Sequence, residues 1–161
     1  QLQTIGSDQC SFSFKGKKEL GLNDFSKIPN GGPFIEDRFG ILYSEGVAKG
    51  RININEFVDM ISTSAAKTFG LFPKKGTIAI GSDADIVLFD PDVKRVISAQ
   101  THHMNVDYNP YEGWEVTGEV QSVLVRGQYV VKDKKFVGTL GNGQYIKRKS
   151  IAQQEEEPAL N

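Results

Sequence analysis

The feature that most constrains this chain is the change of pattern at Gly70–Pro73. Upstream of it, Phe57, Ile61, Ala65 and Phe69 recur at every fourth position, the spacing of one helix face. Asn53 stands three residues before Glu56, a capping-box spacing with Asn in place of Ser or Thr, and Ile52 and Phe57 are placed for a hydrophobic staple. A helix is expected over 53–69, ended by Gly70 and barred from resuming by Pro73. Downstream the pattern is β. Thr77–Ile80, Asp85–Phe89, Arg95–Ile97, Val120–Val125 and Tyr129–Val131 read as strands, punctuated by Gly81, Asp90-Pro91 and Gly127. Residues 121–137 read as a meander with tight turns at Arg126-Gly127 and Asp133-Lys134, and Val123, Val125 and Phe136 as core. The expected organisation is an α/β part over 1–73, an antiparallel β part over 74–149 and a flexible tail over 150–161.

The α/β part has its own internal order. Residues 2–8 are expected to form a strand that ends at Asp8. Residues 9–35 show no period and carry Gly16, Gly21, Pro29, Gly31, Gly32 and Pro33. A second helix is expected over 36–49, with Phe39, Leu42, Tyr43 and Val47 near helical spacing. Glu36 and Asp37 suit its N-terminus, and Gly50 is its stop. Loops of that length inside a domain are uncommon and usually functional. A strand, a polar residue at its end, a long loop and a helix make the layout of an active-site βα-loop. At 161 residues the chain is too short for a whole (β/α)8 barrel of roughly 250 residues. The fold class expected is therefore α/β plus β, the end of an α/β unit followed by half of an antiparallel sheet or sandwich. With Gln1 first, and neither an initiator Met nor a leader pattern in the opening residues, the chain reads as a fragment or a processed product.

Charge and composition exclude whole classes of partner. Nineteen basic and 20 acidic residues give a net charge of −1, so there is no electrostatic footprint for a nucleic acid or an anionic membrane. No apolar run approaches the roughly 18 residues of a membrane span. One cysteine allows no intrachain disulfide and favours a reducing, cytoplasmic setting.

Few side chains are candidates for chemistry. Asp8, at a strand end, can ligate a metal or move a proton; capping a turn is its ordinary structural use. Cys10 lacks a nearby base and reads as a buried, inert thiol. His102 and His103 are adjacent and so point to opposite faces of an extended segment, which prevents them from chelating one ion. Their expected fate is one buried and one exposed. Ile28–Pro33 (IPNGGP) cannot be regular structure, and its glycines let backbone approach a ligand closely. No GxGxxG or Walker spacing accompanies it.

Residues 3–10 (QTIGSDQC), 15–38 (KGKKELGLNDFSKIPNGGPFIEDR) and 42–50 (LYSEGVAKG) resemble the D-hydantoinase branch of the dihydropyrimidinase family. So do residues 70–91 (GLFPKKGTIAIGSDADIVLFDP), 96–114 (VISAQTHHMNVDYNPYEGW) and 144–148 (QYIKR). The resemblance covers about residues 2–149 and is to the family's C-terminal part. It implies a cyclic amide hydrolase of the amidohydrolase superfamily, acting on hydantoins or dihydropyrimidines. It also implies a (β/α)8 barrel with a binuclear metal centre, usually zinc, and a β-sandwich made from both chain ends. Asp8 matches the family's metal-ligating aspartate, which also carries the proton of the metal-activated hydroxide to the leaving nitrogen. Asn30 matches the asparagine whose backbone hydrogen-bonds the cyclic substrate. Gln9 and Ser11 replace a histidine and a proline of many relatives, a substitution that the D-hydantoinase branch tolerates.

The same resemblance places the family's other metal ligands and its oxyanion-assisting tyrosine upstream of residue 1. A catalytic zinc normally draws about three protein ligands, and this chain supplies one. The implied partners are a small cyclic amide, the remaining N-terminal part of the enzyme, and further copies in a dimer or tetramer. The chain alone is expected to be inactive and to hold metal weakly. The alternative is a non-catalytic dihydropyrimidinase-like scaffold protein. Asp8 and the Asn30–Pro33 pattern favour the enzyme, since those scaffolds lack the aspartate and depart from Asn-Gly-Gly-Pro.

Overall fold

A computed structural model describes residues 3–150 and 153; the tail expected over 150–161 otherwise lies outside the described residues, as does Leu2. The chain forms two compact units, each assembled from separated stretches. One draws on Gln1–Ile5, Ile52–Asp90 and Val120–Asn161, the other on Gly6–Arg51 and Pro91–Glu119.

Both expected helices form, and both are interrupted. In the second unit α1 (Ile35–Leu42) continues as a π-helical stretch, Tyr43–Ala48. Its most buried positions are Asp37, Gly40 and Ser44. The apolar residues expected to face inward, Phe39, Leu42, Tyr43 and Val47, are only half-buried. The cause is a close approach to the strands β1 (Ile86–Val96) and β2 (Glu115–Val125). A β-carbon on Gly40 would stand 3.0 Å from the Arg95 guanidinium, and Ser44 Oγ accepts the Thr117 N–H at 3.1 Å. Only small or hydrogen-bonding side chains fit that seam.

In the first unit α2 (Ile54–Val58), a π-helical stretch (Asp59–Thr63) and α3 (Ser64–Thr68) form one helical run. Its start is the expected capping box: Glu56 N–H donates to Asn53 Oδ1 at 2.9 Å, and Asn53 N–H to Glu56 Oε2 at 2.8 Å. The stripe does not run straight through. Phe57 is buried and Ile61 half-buried, but the next buried positions are Ala66 and Gly70, not Ala65 and Phe69. A π turn takes one residue more than an α turn, so it moves the inward face along by one. Gly70 adopts φ +69° and is also a docking point. Lys149 N–H donates to its carbonyl at 2.8 Å, and a β-carbon there would collide with the Lys149 carbonyl at 2.2 Å.

Four strands form one sheet in the order β1-β2-β3-β4, with β3 (Gln128–Lys132) and β4 (Lys135–Phe136) completing it. The meander is as expected: β2 and β3, then β3 and β4, pair antiparallel. Both turns carry two successive positive φ values, 49° and 76° at Arg126-Gly127 and 50° and 64° at Asp133-Lys134. That is the hairpin geometry whose twist matches the flanking strands.

Several expectations are corrected. Asp90-Pro91 does not divide two strands but lies inside β1, which an edge strand permits because a proline there breaks no ladder bond. Thr77–Ile80 forms no strand, and Ile78 and Ile80 are 86% and 105% exposed. Residues 3–8 are likewise irregular. In both stretches the β-capable sequence has no neighbouring strand among the described residues, and extended backbone is held only by such a ladder. Phe136 is 68% exposed, and Val123 and Val125 are half-buried. Among the described residues the buried apolar side chains are instead Phe57 and Ala66 in the first unit and Ile97 and Val116 in the second.

Candidate active site

Asp8 and Asn30 both lie in the second unit. Asp8 has a backbone φ of +46°, a region that non-glycine residues seldom occupy and that Asp tolerates better than most. Its side chain is exposed, and no hydrogen bond or ion pair to it occurs among the described residues. Asn30 is also exposed and makes no hydrogen bond among the described residues.

The intervening loop folds back so that its end lies against its beginning. Gly31, next to Asn30, packs on Cys10, two residues beyond Asp8. A β-carbon on Gly31 would stand 2.3 Å from the Cys10 carbonyl oxygen, and its φ is +99°, so glycine is required there twice over. The two predicted site residues therefore flank adjoining stretches of backbone. Cys10 itself corrects an expectation: its thiol is exposed rather than buried, and what it contributes is its carbonyl face.

Three side chains, Gln9, Lys18 and Asp107, hold this loop, and no sequence pattern marks any of them for that role. Gln9 Oε1 accepts the N–H groups of Phe34 and Ile35 at 2.7 and 2.9 Å, satisfying donors that the start of α1 would otherwise leave open. Lys18 Nζ donates to the carbonyls of Pro29 and Gly31, the latter at 2.5 Å. Asp107 accepts the N–H groups of Phe14 and Lys15 at 2.6 and 3.0 Å. Those bonds, Lys15 first and Phe14 second, hold its carboxyl below the ordinary carboxylate range. Beside it, burial and the Asp107 charge raise the Tyr108 phenol, whose ring meets Phe14 edge-on at 6.2 Å. At the start of α1, Glu36 accepts the His103 N–H at 2.6 Å and pairs with His103 Nδ1 at 2.8 Å.

The histidines divide only in part as expected: His103 is exposed, but His102 is half-buried rather than buried, and turn and loop geometry rather than strand alternation separates them. His102 Nε2 pairs with the Val106 carbonyl at 3.0 Å. Its Nδ1 stands 3.5 Å from Asn109 Nδ2, which donates to the buried Asp37 at 2.6 Å. Arg95 reaches the other Asp37 oxygen at 3.4 Å. Nothing in the residue types of α1 announces this buried polar group, because its partners stand 58 and 72 residues away.

Among the described residues no three His, Cys, Asp or Glu side chains are grouped to hold a metal ion. Asp8 can supply one carboxylate ligand, and these residues do not make a metal centre by themselves. Among the described residues, too, no helix is long and apolar enough to cross a membrane.

Comparison with known proteins gives the family. The profile of the amidohydrolase family matches residues 2–130. The chain is 72% identical to a D-hydantoinase of Geobacillus stearothermophilus over 148 residues, 92% of this chain and 31% of that protein. It is 46% identical to a dihydropyrimidinase of Rattus norvegicus over 152 residues, 94% of this chain and 29% of that one. The solved D-hydantoinase of Bacillus sp. AR9 superposes with a TM-score of 0.89 at 70% identity, covering 92% of this chain and 32% of that one. The chain thus spans about a third of the length of the relatives it matches, and it belongs to the amidohydrolase family.

Proposed function

We propose that this chain is part of a metal-dependent cyclic amide hydrolase of the D-hydantoinase type, opening the ring amide of hydantoins or dihydropyrimidines. The observation that carries this reading is the exposed Asp8 carboxylate, without a partner among the described residues, beside a tethered loop that presents the Asn30 backbone. The similarity to D-hydantoinases and a dihydropyrimidinase supports it. Divalent metal ions, zinc in the first instance, would activate water and polarise the amide carbonyl when bound, with Asp8 as one ligand and the others outside this chain. Asp8 takes the proton of the attacking water and returns it to the ring nitrogen, a poor leaving group until protonated. The Asn30 peptide hydrogen-bonds the ring and holds it over that carboxylate. In the same reading, residues 1–73 close a (β/α)8 barrel and 74–149 form part of a β-sandwich. The whole enzyme is a cytoplasmic homo-oligomer, and this chain alone is inactive.

The test is steady-state hydantoin hydrolysis by a full-length enzyme carrying this sequence, with Asp8→Asn compared at equal metal content. The expected loss in kcat is at least about 10²-fold, the lower end for a positioned proton-transfer group. A near-normal kcat would reduce Asp8 to a turn residue and remove the functional reading.

A further inference from the structure

We infer that Lys18 is a positioning residue for the substrate-binding loop, its ammonium holding the peptide carbonyls on both sides of Asn30 and so fixing how the Asn30 backbone meets the ring. The inference deepens the hydrolase reading and rests on it.

The segment needs such a restraint. Pro29 fixes one φ, but Gly31 at φ +99° and Gly32 follow, so the backbone just after Asn30 is the most permissive in the loop. Packing of Gly31 on Cys10 limits its position but not the rotation of its peptide planes. Lys18 supplies that control by donating to Pro29 O and to Gly31 O. One ammonium with several donors can hold two carbonyls at once. The Asn30 peptide lies between them and stays unpaired among the described residues, hence free for a ligand.

The base of the lysine is itself secured. Lys18 opens a 3₁₀ turn, Lys18–Gly21. Its N–H donates to the Ser13 carbonyl at 3.2 Å, and the preceding turn is tied to Asp107 through Phe14 and Lys15. The Phe12 ring lies 5.9 Å from the ammonium, within cation–π range. Lys18 is half-buried, whereas Lys15 and Lys17 just before it are exposed. Among the described residues its ammonium pairs with no carboxylate, so its hydrogen bonds go to backbone alone. A solvent-facing lysine on a surface loop has no such arrangement.

The experiment uses a full-length hydantoinase carrying this sequence, with Lys18→Met, Lys18→Gln and Lys18→Arg beside Asp8→Asn as control. Methionine keeps the stem and removes every donor; arginine keeps donors on a different head. Loosening the loop weakens ground state and transition state alike, so KM should rise about tenfold in Lys18→Met with kcat within about threefold. Lys18→Gln should follow Lys18→Met, and Lys18→Arg should recover most of the loss. A merely structural role would lower thermal stability or the active fraction and leave KM alone. Unchanged KM in both neutral variants, with Asp8→Asn inactive, overturns the inference and leaves the hydrolase reading standing. Near-normal turnover by Asp8→Asn overturns that reading, and this inference falls with it.

Discussion

At Asn30 the proposed contact belongs to the peptide and not to the side chain, so the two can be separated. Asn30→Ala should change KM by no more than about threefold in the full-length enzyme, since the backbone group survives. Asn30→Pro should be far worse, because it removes the N–H and restrains φ between Pro29 and Gly31; steady-state kinetics on the two variants decides it. Asp107 makes a pH prediction. Its folded pKa is depressed by the Lys15 and Phe14 N–H groups, so its anchoring is fully present above the ordinary carboxylate range and is lost as pH falls through the lowered value. Exchange protection at the Phe14 and Lys15 amides should therefore persist to below about pH 4 and vanish at neutral pH in Asp107→Ala. Asp8 stands out as a candidate by its place before the long loop, although an aspartate there has ordinary structural uses, whereas Asn30 is a candidate only through resemblance to a family. The tethering roles of Gln9, Lys18 and Asp107 were not legible. Gln9 works 25 and 26 residues along the chain and Asp107 more than 90 away, and no local pattern encodes a partner at such distance.

Among the elements, the helices were the most legible because caps and stops are local chemistry. Asn53 and Glu56 satisfy each other's backbone donors, so Asn53→Ala should cost about 1 kcal/mol of stability in chemical denaturation. The inward face was misread after the middle of that run, because nothing in Asp59–Thr63 marks a π turn by residue type. Strands were legible where the next segment in sequence is also the neighbour in space, as in the meander, and illegible where the alternation lacked a ladder, as at Thr77–Ile80. A charged knot ties that irregular stretch to the β2–β3 turn. Lys75 pairs with Asp83 at 2.9 Å and with Asp85, and Asp85 accepts the Arg126 N–H at 2.8 Å. Burial alone would raise Asp85, but Lys75 and the Arg126 N–H outweigh it and lower the carboxyl. Burial would lower Lys75, but Asp85 and Asp83 outweigh it and raise the amine. The knot's contribution is therefore present from above the ordinary Asp range to below the ordinary Lys range and lost beyond either end. Asp85→Ala should flatten the acid side of the stability-versus-pH curve and lower stability by about 1.5–3 kcal/mol at neutral pH, the range for hydrogen bonds to charged groups.

For the molecule as a whole, chemistry and completeness go together. With no three-ligand group among the described residues, the 161-residue chain should retain well below one equivalent of zinc after dialysis and hydrolyse no hydantoin. Metal analysis beside an activity assay checks this, and stoichiometric retention would contradict it. Pro91, met earlier as a tolerated residue of β1, has a consequence for what else this sheet can join. The β4 edge is two residues long and offers an incoming strand almost nothing. The β1 edge is eleven residues long, the kind of margin along which polypeptides polymerise. Pro91 sits at its sixth position, without an N–H to give and with a ring in the way. It leaves five residues on each side, Ile86–Asp90 and Asp92–Val96, so a strand laid along the whole margin would lack a ladder bond at its middle. A strand added along β1, from another stretch of the same protein or a second copy, would be held as two short grips with a bond missing between them at Pro91.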